Sequence, residues 1–412
     1  MKKKIKMGLS LLISLTCLTG CIQNVGPKDD EEEIKPNQAL VNTTDHQLAS
    51  DFYRAVIIDG KYQLGASASS GTTLSAAGNA KAFEEGLMRI SKSVFPPDQY
   101  YLQEGHLLNS ETLTAWLSRE SEDNPEGLNP ALQDPVESTT EEAISTEEST
   151  SESLDPEETI LEESQEGRNQ QVTVDKQATP LYLSQILEKN IMVETEEGFA
   201  LSGIVIGLAM NSSYSYTDEQ GVVHEQEISM GELRERGKQY ANIIVGRLRN
   251  TEELRSIPIL VGLFRVAPNE DVVGGTYILD GISREGNAVA DWTEHNEYRI
   301  MLPVLDPDIQ SDQYTYFDNF RNRVLDFFPN LNGISAEALY VDDQLLNLDI
   351  EVVSQFYQKT QVTALAQHIS DVAQEELPEN INLEIRIQSV EGIQAYVGRT
   401  SQSNQIQSYV FN

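Results

Sequence analysis

Two apolar patterns alternate along the middle of the chain. "LSGIVIGLAMN" (201–211) and "SIPILVGLFRV" (256–266) are unbroken apolar runs of strand length, as expected of strands covered on both faces. Between them lies "ISMGELRERGKQYANIIVGRLRN" (228–250), where Leu233, Tyr240, Ala241, Ile244, Val245 and Leu248 recur at helical spacing. Strand, long helix and strand in that order predict a βαβ crossover with parallel strands. "GGTYILDGI" (274–282) and "EYRIMLPVL" (297–305) add two further strands.

Upstream, "FYRAVIIDGKYQL" (52–64) alternates as a strand does, and "GASASSGTTLSAAGN" (65–79) reads as a loop of small residues. Residues 79–95 place Ala82, Phe83, Leu87 and Ile90 on one helical face, with "FPP" as the stop. "SETLTAWLSRE" (110–120) predicts a short helix with Ser110 as N-cap and Leu113, Trp116 and Leu117 on one side. "PLYLSQILEKNI" (180–191) predicts a helix opened by Pro180.

The last hundred residues read as a second unit. "FDNFRNRVLDFF" (317–328) is helical, with Phe317, Phe320, Val324, Phe327 and Phe328 at helical intervals. "LLNLDIEV" (345–352) alternates, with Leu346, Leu348, Ile350 and Val352 inward. "VTALAQHISDVAQEEL" (362–377) is a helix with Val362, Leu365, Ile369 and Val372 on one face. "INLEIRIQSV" and "IQAYVGRT" pair through "VEG". The expected fold class is α+β (mixed α/β). An N-terminal α/β domain, 48–300, carries the crossover, and a C-terminal α+β sandwich, 301–412, has its helices on one face.

Two stretches break the pattern. Residues 21–47 are charged, contain Pro27 and Pro36 and have no apolar period, so they read as a solvated tether. Residues of about 120–171 are dominated by Glu, Ser and Thr, and predict a disordered acidic insertion within the first domain.

The start of the chain is different again. Lys2, Lys3, Lys4 and Lys6 precede an apolar segment, Gly8–Leu18, of the length a secretory signal uses. It ends in Leu18-Thr19-Gly20-Cys21, the lipobox pattern of bacterial lipoproteins. The pattern predicts a signal peptide over 1–20, diacylglyceryl transfer to the Cys21 thiol, and cleavage between Gly20 and Cys21 by a lipoprotein signal peptidase. Two acyl chains then hold the chain on the extracytoplasmic face of a cell membrane, one chain alone being marginal. The other cysteine, Cys17, lies inside the leader, so no disulfide and no thiol nucleophile is expected in the remainder.

Charge narrows the partners. The chain has 29 basic and 66 acidic residues, a net charge of −37, which becomes −41 once the four leader lysines are lost. Nucleic acid and anionic lipid surfaces repel such a body. Candidate chemistry is sparse. His46, His106, His224, His295 and His368 have no metal-ligand spacing between them, and no cysteine supports them. "GELRERGK" (231–238) departs from a phosphate loop by one extra residue and by Gln239 where a hydroxyl is needed. "GASASSG" lacks the frame of a nucleophile elbow. Asp306, Asp308 and Asp312 lack the Gly and Glu of a calcium loop. No catalytic residue, metal or cofactor is expected, and the oligomeric state is not legible.

"FEEGLMRISKSVFPPDQYYLQEGHLL", "EGLNP", "YLSQILE", "LSGIVIGLAMN", "GKQYANIIVGRLR", "IPILVGLFR" and "FFPNLNGISAEALYVDDQLLNLDIEV" occur in this order. In that sequence of motifs the chain, from about Asp51 to its end, resembles the CamS family, the sex-pheromone precursor lipoproteins of Firmicutes. The resemblance implies a Gram-positive envelope location and an extracytoplasmic α/β body, and it transfers no catalytic residue. It also implies that the leader's tail could yield a short hydrophobic peptide inducing conjugative plasmid transfer. The corresponding residues here are Ile13, Ser14, Leu15, Thr16, Cys17, Leu18, Thr19 and Gly20, or the seven from Ser14, released by a membrane protease after signal-peptide cleavage. For the body, a non-enzymatic binding module stands beside two alternatives: a solute- or peptide-binding lipoprotein, and a carboxylate-based envelope hydrolase.

Overall fold

The computed structural model describes residues 41–43, 51–66, 74, 78–132, 179–218, 220–306, 309, 312–328, 331–355 and 358–411. The lipobox, the leader, the tether apart from residues 41–43, His46, Asp308 and most of the acidic insertion lie outside these residues. Leu40–Asn412 form one compact unit.

In chain order the first part runs β1 (Val41–Thr43), β2 (Arg54–Ile58), α1 (Asn79–Ser91), β3 (Tyr101–Glu104) and α2 (Ser110–Leu117). Next come β4 (Leu183–Thr195), β5 (Gly198–Asn211), β6 (Ser213–Thr217), β7 (Val223–Glu227) and α3 (Met230–Leu248). β8 (Ile259–Val266), β9 (Thr276–Ser283) and β10 (Ala290–Glu294) complete an eight-stranded sheet ordered β1-β2-β3-β4-β5-β8-β9-β10. β6 and β7 form a separate hairpin. β5 and β8 are parallel, in register from Ile204 opposite Ile259 to Asn211 opposite Val266, and α3 lies between them in sequence. The expected crossover is present, with the β6–β7 hairpin inserted ahead of its helix.

The unbroken apolar runs follow from burial on both faces of this sheet. Ile204, Ile206, Leu208 and Met210 pack with Leu113 and Trp116 of α2 and Leu233, Ile244 and Val245 of α3. Val205 and Ala209 point the other way, into a cluster with Ala82, Phe83, Leu87 and Ile90 of α1. The α1 layer sits close because the sheet thins beneath it: a Cβ at Gly207 would lie 2.8 Å from the Phe83 ring.

The second part contains β11 (Glu297–Leu302), α4 (Thr315–Phe327), β12 (Gly333–Val341), β13 (Gln344–Val353), α5 (Lys359–Glu376), β14 (Asn382–Ser389), β15 (Gly392–Arg399) and β16 (Gln407–Val410). These strands form one six-stranded sheet in chain order. Only β13 and β14 are parallel, and α5 connects them. Ile350, Val352, Ile385 and Val397 face Phe317, Phe320 and Val324 of α4 and Leu365 and Ile369 of α5. The other face of the sheet meets α1 through charge: Lys81 Nζ is 2.9 Å from Asp349, and Arg89 is 2.5 Å from Glu297, whose side chain is 2% exposed.

Five expectations need correction. Residues 183–195 are not a helix but the long strand β4, paired antiparallel with both β3 and β5. From Gln185 to Ile191 its register with β5 is regular and both faces are covered, so Ile186 enters the α2–α3 cluster while Leu187 and Ile191 enter the α1 cluster, and the three coincide with a helical period. The N-cap of α2 is Asn109, whose Oδ1 accepts from Thr112 N at 2.8 Å, and Ser110 is the first helical residue. Glu120–Leu132 is folded, with Leu128 and Asn129 buried, so the insertion cannot begin at 120. β11 belongs to the second sheet, so residues 297–300 leave the first unit. Val41–Thr43 form β1, paired antiparallel with Val56–Ile58 of β2, so the tether cannot extend to residue 47.

Candidate functional site

The segment after α2 folds back because one amide is saturated. Asn129 is fully buried; its Nδ2 donates to Leu117 O at 2.7 Å and Leu183 O at 2.9 Å. Its Oδ1 accepts from the backbone N–H groups of Tyr182 and Leu183, each at 2.9 Å. Arg119 adds a second tie, donating to Pro130 O at 2.9 Å, Thr179 O at 2.6 Å and the Tyr214 hydroxyl at 3.1 Å. Residues 118–130 are thereby held against β4 and α3.

Two surface cavities flank this segment. The larger, about 600 Å³, is broad and runs over the outer face of α2. Its polar lining is already engaged: Thr114 and Ser118 donate to backbone carbonyls one turn earlier, and Asn124 donates to Ala115 O and Arg119 O. The smaller cavity, about 280 Å³, lies between α3 and residues 120–130. It is the better candidate because its charged groups are not neutralised.

That cavity is lined from α3 by Arg236, Gln239, Tyr240, Ile243 and Arg247. These recur every three or four residues and form a stripe beside the core stripe of the same helix. The Arg236 guanidinium lies 5.1 Å from the centre of the Tyr182 ring. Arg247 lies 4.9 Å over Trp116 and donates to Glu126 O at 2.9 Å. Among the described residues, neither arginine lies within ion-pair distance of a carboxylate. Glu232, one turn before Arg236, instead accepts from the Tyr182 hydroxyl at 2.5 Å. Tyr240 is 4% exposed, and its hydroxyl has no hydrogen-bond partner. Burial pushes that hydroxyl's pKa up to about 12, with Arg236 opposing the shift.

Other charged groups have structural work. Lys189 is held by Glu84 at 2.6 Å and Glu104 at 2.8 Å, and Tyr62 donates to Glu104 at 2.6 Å. Burial lowers the Lys189 pKa, but its two carboxylate partners outweigh this, leaving it above the ordinary lysine value. Glu188, 1% exposed, accepts from the backbone of Leu107 at 3.0 Å and Leu108 at 2.8 Å. Burial holds its carboxyl above the usual carboxylate range in spite of those donors. Glu188 lines neither cavity, so the pairing that a two-carboxylate hydrolase requires is not assembled in them.

The histidines are dispersed. His224 meets Asp218 at 2.7 Å, His295 meets Asp280 at 2.5 Å, and His368 lies 3.2 Å from Arg323 O. Among the described residues no three His, Cys, Asp or Glu side chains gather as a metal site. The segment 231–238 is inside α3, which rules out a phosphate loop there. Leu18, Thr19, Gly20, Cys21 and the candidate peptide Ile13–Gly20 lie outside the described residues.

The Arg236–Arg247 stripe was not anticipated from sequence. Tyr240 had a place in the core stripe, and no role was assigned to Arg236, Ile243 or Arg247. The available signal was Arg, aromatic, apolar and Arg at 236, 240, 243 and 247 in an otherwise acidic chain.

Taken together, the molecule is a mixed α/β protein of two sheets and a hairpin, with a small cationic cavity and no assembled catalytic group among the described residues. Residues 62–405 match the family described as CamS sex pheromone cAM373 precursor, and the chain belongs to that family. Its fold is similar to the sex pheromone precursor of Lactobacillus salivarius subsp. salivarius UCC118. The TM-score is 0.73 at 30% identity, over 90% of this chain and 99% of that one. It is also similar to the C-terminal domain of the staph-cAM373 sex pheromone precursor of Staphylococcus aureus. There the TM-score is 0.60 at 25% identity, over 81% of this chain and 96% of that one. No curated protein matches the chain. Among the described residues no helix is long and apolar enough to cross a membrane.

Proposed function

We propose that this chain is a lipid-anchored precursor with two products. Diacylglyceryl transfer to Cys21 and cleavage after Gly20 leave the folded body on the extracytoplasmic face of the membrane. The same cleavage leaves the leader with a free carboxylate at Gly20, and a membrane protease cutting before Ile13 releases an octapeptide without charged side chains that induces plasmid transfer. The observation that carries this reading is Leu18-Thr19-Gly20-Cys21 at the head of a chain whose body belongs to a pheromone-precursor family. The body, one compact unit with two sheets, acts as a non-enzymatic binding module. A solute- or peptide-binding role for the body is favoured over a hydrolytic one by the unneutralised arginines of the α3 cavity.

Deleting residues 48–412 while keeping the leader and Cys21 tests the division of labour. Conjugation induced by culture supernatant should survive the deletion, and synthetic Ile13–Gly20 at nanomolar concentration should reproduce it. Supernatant and peptide that are both inactive across a broad panel of plasmid-bearing recipients would remove the pheromone role.

A further inference from the structure

The cavity under α3 allows a statement about ligand chemistry that depends neither on acylation of Cys21 nor on peptide release. It deepens only the binding-module reading of the body. We propose that this cavity binds one carboxylate carrying a short apolar group. The carboxylate sits at Arg236 and Tyr240, and the apolar group runs along Ile243.

The placement follows from the helix. Arg236 and Tyr240 are one turn apart, and Ile243 is about one turn further on, so cation, hydroxyl and apolar surface follow one another along one stripe. Arginine offers a planar fork of N–H donors that matches a carboxylate. The Tyr240 hydroxyl is a buried donor without an acceptor, and buried polar groups left unpaired are uncommon. Glu232 does not fill the gap, because it is engaged by Tyr182. Arg236 therefore packs on the Tyr182 ring with no carboxylate within ion-pair distance among the described residues.

The remaining walls define the rest of the ligand. Ile243 is 43% exposed although it faces the cavity, and Pro125 and Leu128 face it from the loop. Arg247 closes the far end with its guanidinium already held by Trp116 and Glu126 O. Exposed Glu120 at the rim, in a chain of net charge −37, disfavours dianions and polyanions. A volume of about 280 Å³ is small for a drug-sized molecule and suits a one- or two-residue end. A peptide C-terminus and a free small acid share this chemistry, and amidation and size separate them.

The test is calorimetric titration of the purified full chain with acetyl-leucyl-glycine as free acid, the same dipeptide as C-terminal amide, acetate, and inorganic phosphate. The free acid is expected to bind, with the amide weaker by about tenfold or more, as loss of a charge-assisted hydrogen bond implies. R236Q and Y240F should each weaken the free acid by about tenfold and leave the amide unchanged. Y240F removes only an unpartnered hydroxyl, so it stays folded even if R236Q does not. Acetate binding as tightly as the dipeptide acid would keep the carboxylate and make the ligand a small free acid. Equal affinity for acid and amide, phosphate binding tighter than either carboxylate, or no heat from the free acid up to about 10 mM would overturn the proposal.

Discussion

Lys189 and Glu104 face each other at 2.8 Å with side chains only 3% and 8% exposed, and Glu84 closes the lysine from the helix side at 2.6 Å. This triad joins α1 to the centre of the first sheet. Removing one member of a buried pair leaves the other charge without compensation, at a cost of about 3–5 kcal/mol. Lys189→Met should therefore lower stability by about that amount in urea unfolding. The double variant K189M/E104Q should recover much of the loss. The folded pKa of Lys189 is raised, so its contribution is complete below the ordinary lysine pKa of about 10.4. It is lost as pH rises through the raised folded value, and unfolding midpoints between pH 9 and 12, about 9 to 12 on the scale of lysine titration, should fall less steeply in K189M.

Glu188 acts in the same direction, but in the acid range. Its folded pKa is raised by burial, so the folded state holds its proton longer than the unfolded chain does. Stability should decline as pH rises from the ordinary glutamate value of about 4.3 towards the raised one, then level off. Glu188→Gln should flatten that decline in chemical denaturation curves across the acid range, while loosening the Leu107–Leu108 turn to hydrogen exchange.

Two glycines on opposite sides of the fold should respond oppositely to a methyl group. Gly207→Ala drives a Cβ to 2.8 Å from Phe83 in the packed α1 layer, and overpacking of this kind costs about 1–3 kcal/mol. Gly246 lies within α3 with nothing within 4 Å of its added Cβ. Gly246→Ala should raise the melting temperature, with a gain of about 0.5–1 kcal/mol from helix propensity.

Asn129→Ala should be among the most damaging changes outside the apolar core. It orphans two backbone N–H groups and two carbonyls at the junction of the α2 loop and β4. Each buried group left unsatisfied costs about 1–3 kcal/mol, so a loss of at least about 2 kcal/mol is expected by calorimetry. The α3 cavity should lose its loop wall at the same time.

The parts of the fold that sequence pattern reveals are those where a single periodicity holds. β5, α3 and β8 were legible because sheet burial on both faces demands apolar runs and α3 presents one unbroken stripe. α4, β13, α5, β14 and β15 were legible because each holds one helical or alternating period. β4 was not, because burial on both faces lets Ile186, Leu187 and Ile191 imitate a helix, and because polar Glu188, Lys189 and Asn190 are buried by partners distant in sequence. Asn129 explains the misplaced start of the insertion: a polar segment is folded by hydrogen bonds that composition does not register. The α3 cavity was hidden by Tyr240, which serves core and cavity at once. The N-cap of α2 moved by one residue because Asn and Ser adjoin and both can cap.

The most direct measurement is incorporation of radiolabelled palmitate, with membrane fractionation, for the wild-type chain and Cys21→Ser. The wild-type chain should carry label and sediment with membranes. The serine variant should lose the label, leave the membrane fraction after detergent-free washing, and migrate as the uncleaved precursor. A serine variant that still carries label, is processed to the same size and stays with the lipid would contradict anchoring at Cys21.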